Sequence, residues 1–181
     1  MKMKGNRSAK TRIITCHAII FLFSNNVYAE SSIEEIGDLT QVITPAIALG
    51  MALNEQGWEG VSQLAFSFAA MQASVIGLKS IIKEERPDGS DKRSFPSGHV
   101  ASAFSGATFI HKRYGLERAI VPYLLAGFTG YSRIHADRHY FHDAVAGAAI
   151  SALFTWALVD QYDVQVSAGS ESVELGFRTK F

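Results

Sequence analysis

Residues 96–115 read PSGHVASAFSGATFIHKRYG. After Pro96 the run holds no further proline, its residues are mostly small and apolar, and Gly115 suits a C-cap, so it predicts a helix over 97–114. The start of that helix is unusual in what it offers. Its free backbone N–H groups and positive dipole end attract an oxyanion. Gly98 has no Cβ to obstruct close approach, and Ser97 adds a hydroxyl donor. His99, in the first turn, is placed to protonate a leaving oxygen. A helix that opens on such a polar turn and continues as small and apolar residues belongs to a bundle that holds a site at one end.

The flanking sequence is helical in the same way. An apolar run over 39–53 is interrupted by Thr44-Pro45 and stopped by Asn54-Glu55-Gln56-Gly57. Residues 61–82 form the longest helical run, and 84–96 are a polar loop carrying Pro87, Asp88-Gly89 and Pro96. Further helices are predicted over 117–131 and 139–160. The fold class is therefore all-α, a compact helical bundle of about five core helices. Small residues recur at packing spacing (Ala65, Ala69, Ala73, Gly77; Ala144, Gly147, Ala148, Ser151), which permits close helix approach in water or in lipid. The polar residues scattered along these helices and a mean hydropathy of only +0.09 favour a soluble or membrane-associated bundle over an integral one.

The ends differ from this domain, which spans 30–160. Residues 1–29 carry Lys2, Lys4, Arg7, Lys10 and Arg12 without an acid, a short apolar run and Val27-Tyr28-Ala29. They read as a secretory signal peptide, or alternatively as an uncleaved anchor, although the run is short of the ~20 residues a span needs. Cys16, the single cysteine, lies inside this segment. In the tail, 161–181, Val164 and Val166 alternate, then Val173, Leu175 and Phe177. That pattern predicts a β-hairpin, either covering a helix face or attaching to an outer-membrane partner. Two strands cannot close a barrel.

Without residues 1–29 the chain carries 12 Lys+Arg against 17 Asp+Glu, a formal charge of −5. That balance excludes an electrostatic footprint for nucleic acid. Ten of the 12 basic residues nevertheless fall within 79–138, which suits an anionic substrate. Lys92, Arg93, Lys112, Arg113 and Arg118 read as a solvated basic face.

Lys79 and Arg86 are seven apart, two helical turns, and would project from one face at a helix end that Pro87 terminates. Lys79 alone would read equally as a snorkelling residue on an apolar helix. With Arg86 it makes an anion clamp, the guanidinium binding two phosphate oxygens and the ammonium acting as a point charge. His139 and Asp143 are four apart, which predicts one helical face. A carboxylate there accepts the Nδ1–H of the imidazole and leaves Nε2 free to attack. Arg133, six residues upstream, completes the clamp. Of the remaining histidines, His111 reads as surface, His142 as helix packing and His135 as lining the pocket mouth. The spacing of His135, His139 and His142 suits no helix face as a set, so no metal is predicted.

The three stretches Lys-x6-Arg-Pro, Pro-Ser-Gly-His and Ser-Arg-x5-His-x3-Asp resemble the type 2 phosphatidic acid phosphatase superfamily. That group also contains bacterial class A acid phosphatases and vanadium haloperoxidases. Every motif position is occupied between Lys79 and Asp143. The resemblance implies a helical bundle and metal-independent hydrolysis of phosphate monoesters through a phosphohistidine. It implies His139 as nucleophile, Asp143 as its orienting carboxylate and His99 as general acid. Lys79, Arg86, Ser97, Gly98 and Arg133 would bind the phosphoryl oxygens. No cofactor is implied, and vanadate is expected to inhibit as an analogue of the transferring phosphoryl group.

The expected substrate is a lipid phosphate such as phosphatidic acid or an isoprenyl pyrophosphate, with a soluble phosphomonoester as the alternative. A vanadium haloperoxidase would use the same clamp to hold vanadate permanently, but this short chain leaves little room for a halide pocket. The helices are fewer and less apolar than in six-span lipid phosphatases, which again favours association with a membrane surface. The leader predicts a site outside the cytoplasm, periplasmic or membrane-associated.

Overall fold

Among the residues that the computed structural model describes (32–55, 58–161 and the backbone of 164–168 and 173–177), five helices follow one another along the chain. They are α1 Ser32–Leu53, α2 Glu59–Ile82, α3 Gly98–Tyr114, α4 Leu116–His135 and α5 Phe141–Leu158. The architecture is the expected all-α bundle. The segment read as a leader lies outside the described residues. In the tail, strands β1 Val164–Ala168 and β2 Val173–Phe177 pair antiparallel, with Val164 opposite Phe177 and Val166 opposite Leu175. The alternating apolar residues thus share register positions.

Helix α3 is the centre of the bundle, packing against α2, α4 and α5. Its composition explains why. Ala101, Ala103, Gly106 and Ala107 present almost no side chain, so neighbouring backbones come very near. A Cβ added to Gly106 would lie 2.3 Å from the Thr44 carbonyl of α1, and one added to Gly147 of α5 would lie 2.5 Å from the Ser97 carbonyl. Gly147 therefore seats α5 directly against the turn that opens α3. Hydroxyls bridge the same contacts: Thr44 Oγ1 donates to Ala103 O at 2.8 Å, Ser151 Oγ donates to Ala101 O at 2.5 Å, and Thr108 and Thr155 share a 2.8 Å bond.

Two boundaries differ from expectation, and a third relocates Arg86. Helix α1 starts well before residue 39 and runs through Thr44-Pro45 without a break, because Glu34, Glu35 and Asp38 sit where the helix N-terminus favours acids. Helix α2 ends at Ile82, where the run over 61–82 was expected to stop, with Lys83 at φ 51° closing it, so Arg86 lies in the loop instead of sharing a helical face with Lys79. Helix α5 begins at Phe141, with Tyr140 as N-cap, whose N–H donates to Asp143 Oδ2 at 2.9 Å. His139 therefore precedes the helix instead of sharing a helical face with Asp143.

Arg113 also departs from its expected place on a solvated face. It is 1% exposed, and its guanidinium donates to both carboxylate oxygens of Glu55 at 2.7 Å. It reaches Gln63 Oε1 at 2.9 Å and the Asp160 carbonyl at 3.1 Å as well. The Tyr114 hydroxyl donates to Glu55. Residues that follow α1 and α5 are thereby tied to the first turns of α2 and the last turn of α3.

Of the polar residues scattered along these helices, Thr40, Thr44, Ser67, Thr108, Ser151 and Thr155 are buried, while Ser62 and Ser80 stay exposed. The outward surface is apolar: Leu39, Val42, Phe66, Ile81, Leu124 and Leu153 are all more than half exposed. Among the described residues α1, α2 and α5 are long and apolar enough to cross a membrane. A surface of small polar contacts inside and large apolar residues outside suits helices that pack in lipid. This fits membrane association, one of the two readings the sequence left open.

Candidate active site

The polar turn that opens α3, the 83–97 loop and the 136–140 loop converge at one end of the bundle. Here a cavity of about 300 Å³ is lined by Lys79, Arg86, Gly98, His99 and His139, with Gln41 and Gln72 on its side toward α1 and α2. Five of the eight residues predicted from the motifs therefore line one space.

Ser97, Asp143 and Arg133 are placed around that space. Ser97 is buried and caps α3, its hydroxyl oxygen accepting from Val100 N–H at 3.5 Å while its own N–H donates to the Asp143 carbonyl at 3.0 Å. A Cβ on Gly98 would meet Val75 Cγ1 at 3.6 Å, an ordinary contact, so its openness matters toward the cavity. Arg133 is only 3% exposed. Its Nη1 lies 3.0 Å from Asp38 Oδ1 and 3.6 Å from Glu34 Oε1, and its Nη2 donates to the Glu34 carbonyl at 2.5 Å.

Lys79 and Arg86 are steered by the loop. Lys79 Nζ donates to the carbonyls of Arg93 at 2.5 Å and Ser94 at 3.2 Å, folding the loop back over the end of α2. Arg86 Nε donates to Asp91 Oδ1 at 2.8 Å, and its Nη1 to the Arg138 carbonyl at 3.2 Å. That bond to Arg86 holds the Asp91 carboxyl below the usual carboxylate range.

His139 is 2% exposed, and its Nδ1 lies 3.5 Å from Asp143 Oδ2. The carboxylate is itself fully buried and fixed by two donors, Tyr140 N–H and the Ser94 hydroxyl at 2.5 Å. Nδ1 faces Asp143, so Nε2 is the ring nitrogen left for the cavity. Burial, then the charges of Lys79 and Arg86, push the imidazole pKa down to about 4, against the opposing pull of Asp143. At neutral pH the ring is uncharged, with a lone pair available for attack.

The motifs did not disclose Ser94, Asp38 or Glu34. Ser94 belongs to the loop, and its bond to Asp143 spans 49 residues of chain. Asp38 Oδ1 lies 3.1 Å from His99 Nε2, and Glu34 pairs with Arg138 at 2.9 Å as well as with Arg133. A pair of acids at helical spacing near the start of α1 was the only signal available for these.

Two histidines depart from their expected settings. His142 is exposed, pairs with Glu84 at 2.9 Å and stacks on Tyr140, because the helix turns it outward toward the loop. His111 bonds the Tyr123 hydroxyl at 3.0 Å and meets the Trp156 ring edge-on, so it packs between helices. His135 is exposed and stacks on Tyr131. Glu84, His142 and Asp143 bring possible ligand atoms within 4.8 Å of one another, a different set from the three histidines weighed in the sequence. Asp143 Oδ2 faces His139 there, while its Oδ1 lies 3.3 Å from His142 Nε2.

Comparison with known proteins bears on family and fold. Residues 60–166 match the family model described as "PAP2 superfamily". The chain is 40% identical over 92 residues to the lipid A 1-phosphatase of Porphyromonas gingivalis, covering 49% of this chain and 21% of that protein. It is 29% identical over 141 residues to the lipid A 4'-phosphatase of Helicobacter pylori, covering 72% of this chain and 71% of that protein. The chain thus spans about a fifth of the first relative's length and most of the second's. Among solved structures, Aquifex aeolicus LpxE superposes with a TM-score of 0.62 at 24% identity, covering 73% of this chain and 86% of that one. The transmembrane PAP2-type phosphatidylglycerolphosphate phosphatase of Bacillus subtilis gives 0.59 at 22% identity, with 72% and 75% covered. These two likenesses concern the fold.

Proposed function

The chain belongs to the PAP2 superfamily, and from that premise we propose that it is a metal-independent lipid phosphatase acting through a phosphohistidine on His139. The observation that carries this reading is the buried imidazole of His139, neutral and backed by Asp143, on the floor of a cation-lined cavity. In the first step His139 Nε2 attacks phosphorus, the P–O bond to the lipid breaks, and His99 gives its proton to the departing oxygen. Lys79, Arg86, Arg133 and the open end of α3 offset charge on the equatorial oxygens. In the second step His99 takes a proton from water, the water oxygen attacks phosphorus, and the P–N bond breaks.

A lipid substrate is supported by what adjoins the cavity. One turn from Gln41 and Gln72, α1 and α2 line an apolar groove of about 360 Å³ through Pro45, Leu49, Leu64, Ala65 and Phe68. The names of the two relatives favour a phosphorylated saccharolipid of the lipid A kind, ahead of phosphatidic acid or an isoprenyl pyrophosphate. On this reading α1, α2 and α5 span the bilayer, and the site faces the side away from the cytoplasm.

The test is phosphate release from lipid A, phosphatidic acid, an isoprenyl pyrophosphate and 4-nitrophenyl phosphate, with and without detergent. Higher kcat/KM on the lipids is expected, together with inhibition by vanadate. A preference for the soluble ester would replace this reading with a non-specific acid phosphatase, and bromide peroxidation with vanadate would replace it with a haloperoxidase.

The pH profile is a second expectation. Only neutral His139 can attack, and its folded pKa is about 4. The enzyme's acid limb in kcat/KM should therefore lie near pH 4, activity being lost as pH falls through that value. Lys79→Met removes a charge that helps depress this pKa, so its limb should move to higher pH. Comparing both proteins on one substrate cancels the ester's own ionisation; coincident limbs would contradict the role given to Lys79.

A further inference from the structure

Asp143 is not the only carboxylate that meets a catalytic imidazole. At the opposite side of the cavity Asp38 Oδ1 lies 3.1 Å from His99 Nε2 and 3.0 Å from Arg133 Nη1. The carboxylate comes from α1, which the three motifs leave out. The backbone that carries it is held close to α4: a Cβ on the neighbouring Gly37 would lie 1.8 Å from Ser132 Oγ, so α1 touches α4 backbone to side chain at this level. Thr40, farther along α1, bonds Thr129 of α4 at 2.8 Å.

We propose that Asp38 is a positioning residue for the general acid, holding His99 by Nε2 so that Nδ1 faces the ester oxygen of the substrate. This rests on the phosphatase reading above and assigns a role to a residue outside its motifs.

The ring lines the cavity, and among the described residues its Nδ1 has no hydrogen-bond partner. The two dyads are then mirror arrangements: Asp143 takes Nδ1 of His139 and exposes Nε2 for attack, while Asp38 takes Nε2 of His99 and exposes Nδ1 for proton donation. The charges that face His99 make a carboxylate necessary. Burial, then Arg133 from α4, Arg86 from the loop and Lys79 from α2, with His139 across the cavity, oppose its protonation and hold its pKa below the ordinary imidazole value; Asp38 from α1 is the charge that works against them. A general acid must carry a proton before the P–O bond breaks. A carboxylate bonded to the imidazolium stabilises that form. Asp38 keeps its charge throughout: the proton moves from His99 Nδ1 to the leaving oxygen in the first step and returns to Nδ1 from water in the second.

Asp38 also pairs with Arg133, so the test must separate proton donation from phosphate binding. Leaving-group dependence does so. A lipid or alkyl phosphate departs as a strongly basic alkoxide and needs the acid, whereas 4-nitrophenolate departs almost unaided. For Asp38→Asn, kcat on phosphatidic acid in detergent micelles is expected to fall by about 10-fold or more, a part of what general acid catalysis supplies. The loss on 4-nitrophenyl phosphate should be several-fold smaller, and the alkaline limb of the lipid profile should move to lower pH. Asp38→Glu should recover part of the loss. In a His99→Ala background Asp38→Asn should add little. Equal losses on both esters with an unmoved alkaline limb would assign Asp38 to Arg133 or to the fold and overturn the proposal, as would full activity of Asp38→Asn on the lipid. A wild-type protein inert on both esters would instead overturn the phosphatase reading itself.

Discussion

His139→Ala is expected to abolish phosphate release, lowering kcat by roughly 10⁴-fold or more, the scale seen when a covalent nucleophile is removed. Among the described residues the other imidazole lining the cavity is His99, to which proton donation is assigned. The His139 ring is fixed by Asp143 on one edge and faces the cation-lined cavity with the other. Asp143 is held by Ser94 and Tyr140 through Oδ2, the oxygen that faces the imidazole Nδ1 and not the cavity side of the ring. The measurement is single-turnover phosphate release in detergent, with far-ultraviolet circular dichroism showing that the helices persist. Quenching wild-type protein and ³²P-labelled substrate in alkaline detergent should trap label on the chain that survives base and is released on acidification, as a phosphohistidine is. Wild-type-like turnover in the variant would remove His139 from the mechanism.

Arg113→Ala should have the largest effect on stability, about 3–5 kcal/mol, the cost of breaking a buried ion pair by removing one partner. Arg113 and Glu55 are 1% and 5% exposed in their side chains. Deleting the guanidinium leaves a buried carboxylate with the Tyr114 hydroxyl, and frees Gln63 and the Asp160 carbonyl from the same donor. This clamp stands at the far end of α3 from Gly98 and His99. Thermal unfolding in detergent should shift strongly downward, while kcat per folded molecule changes little at low temperature. Replacing both partners, as Arg113→Met with Glu55→Gln, should recover much of the loss because no charge is then stranded. An unshifted transition in the single variant would show that the pair contributes nothing to the fold.

How much of this was legible beforehand depends on the separation of the residues in the chain. The all-α class followed from helical patterning, and the ends of α3 from Pro96 and Gly115. The His139–Asp143 pair was legible because four residues of chain keep the two side chains close whether or not a helix joins them. The reason was still partly mistaken, since Tyr140 caps α5 and His139 stands before it. Pro45 was read as an interruption because proline removes a hydrogen bond. In the bundle, α1 is held on either side by Thr40 and Thr44, which bond α4 and α3. Arg113 looked solvated because a basic residue near a helix end usually is. Only the approach of Glu55, 58 residues away, buries it.

The direction in which side chains face divides what the sequence determined from what the tertiary structure decided. Composition and local spacing determined an all-α chain and three motifs rich in phosphate-binding groups, because helix propensity and short-range geometry are properties of neighbouring residues. Small residues along α3 made close packing possible without saying what would pack. Tertiary structure decided that Thr44, Ser67 and Ser151 turn inward while Val42, Phe66 and Leu153 turn outward, so that α1, α2 and α5 suit a membrane. It also brought Ser94 to Asp143 and Asp38 to His99. Those contacts depend on the registers at which helices cross, set by backbone approaches such as Gly37 on Ser132 and Gly147 on Ser97. No short-range pattern encodes such a register; it emerges when the whole bundle closes.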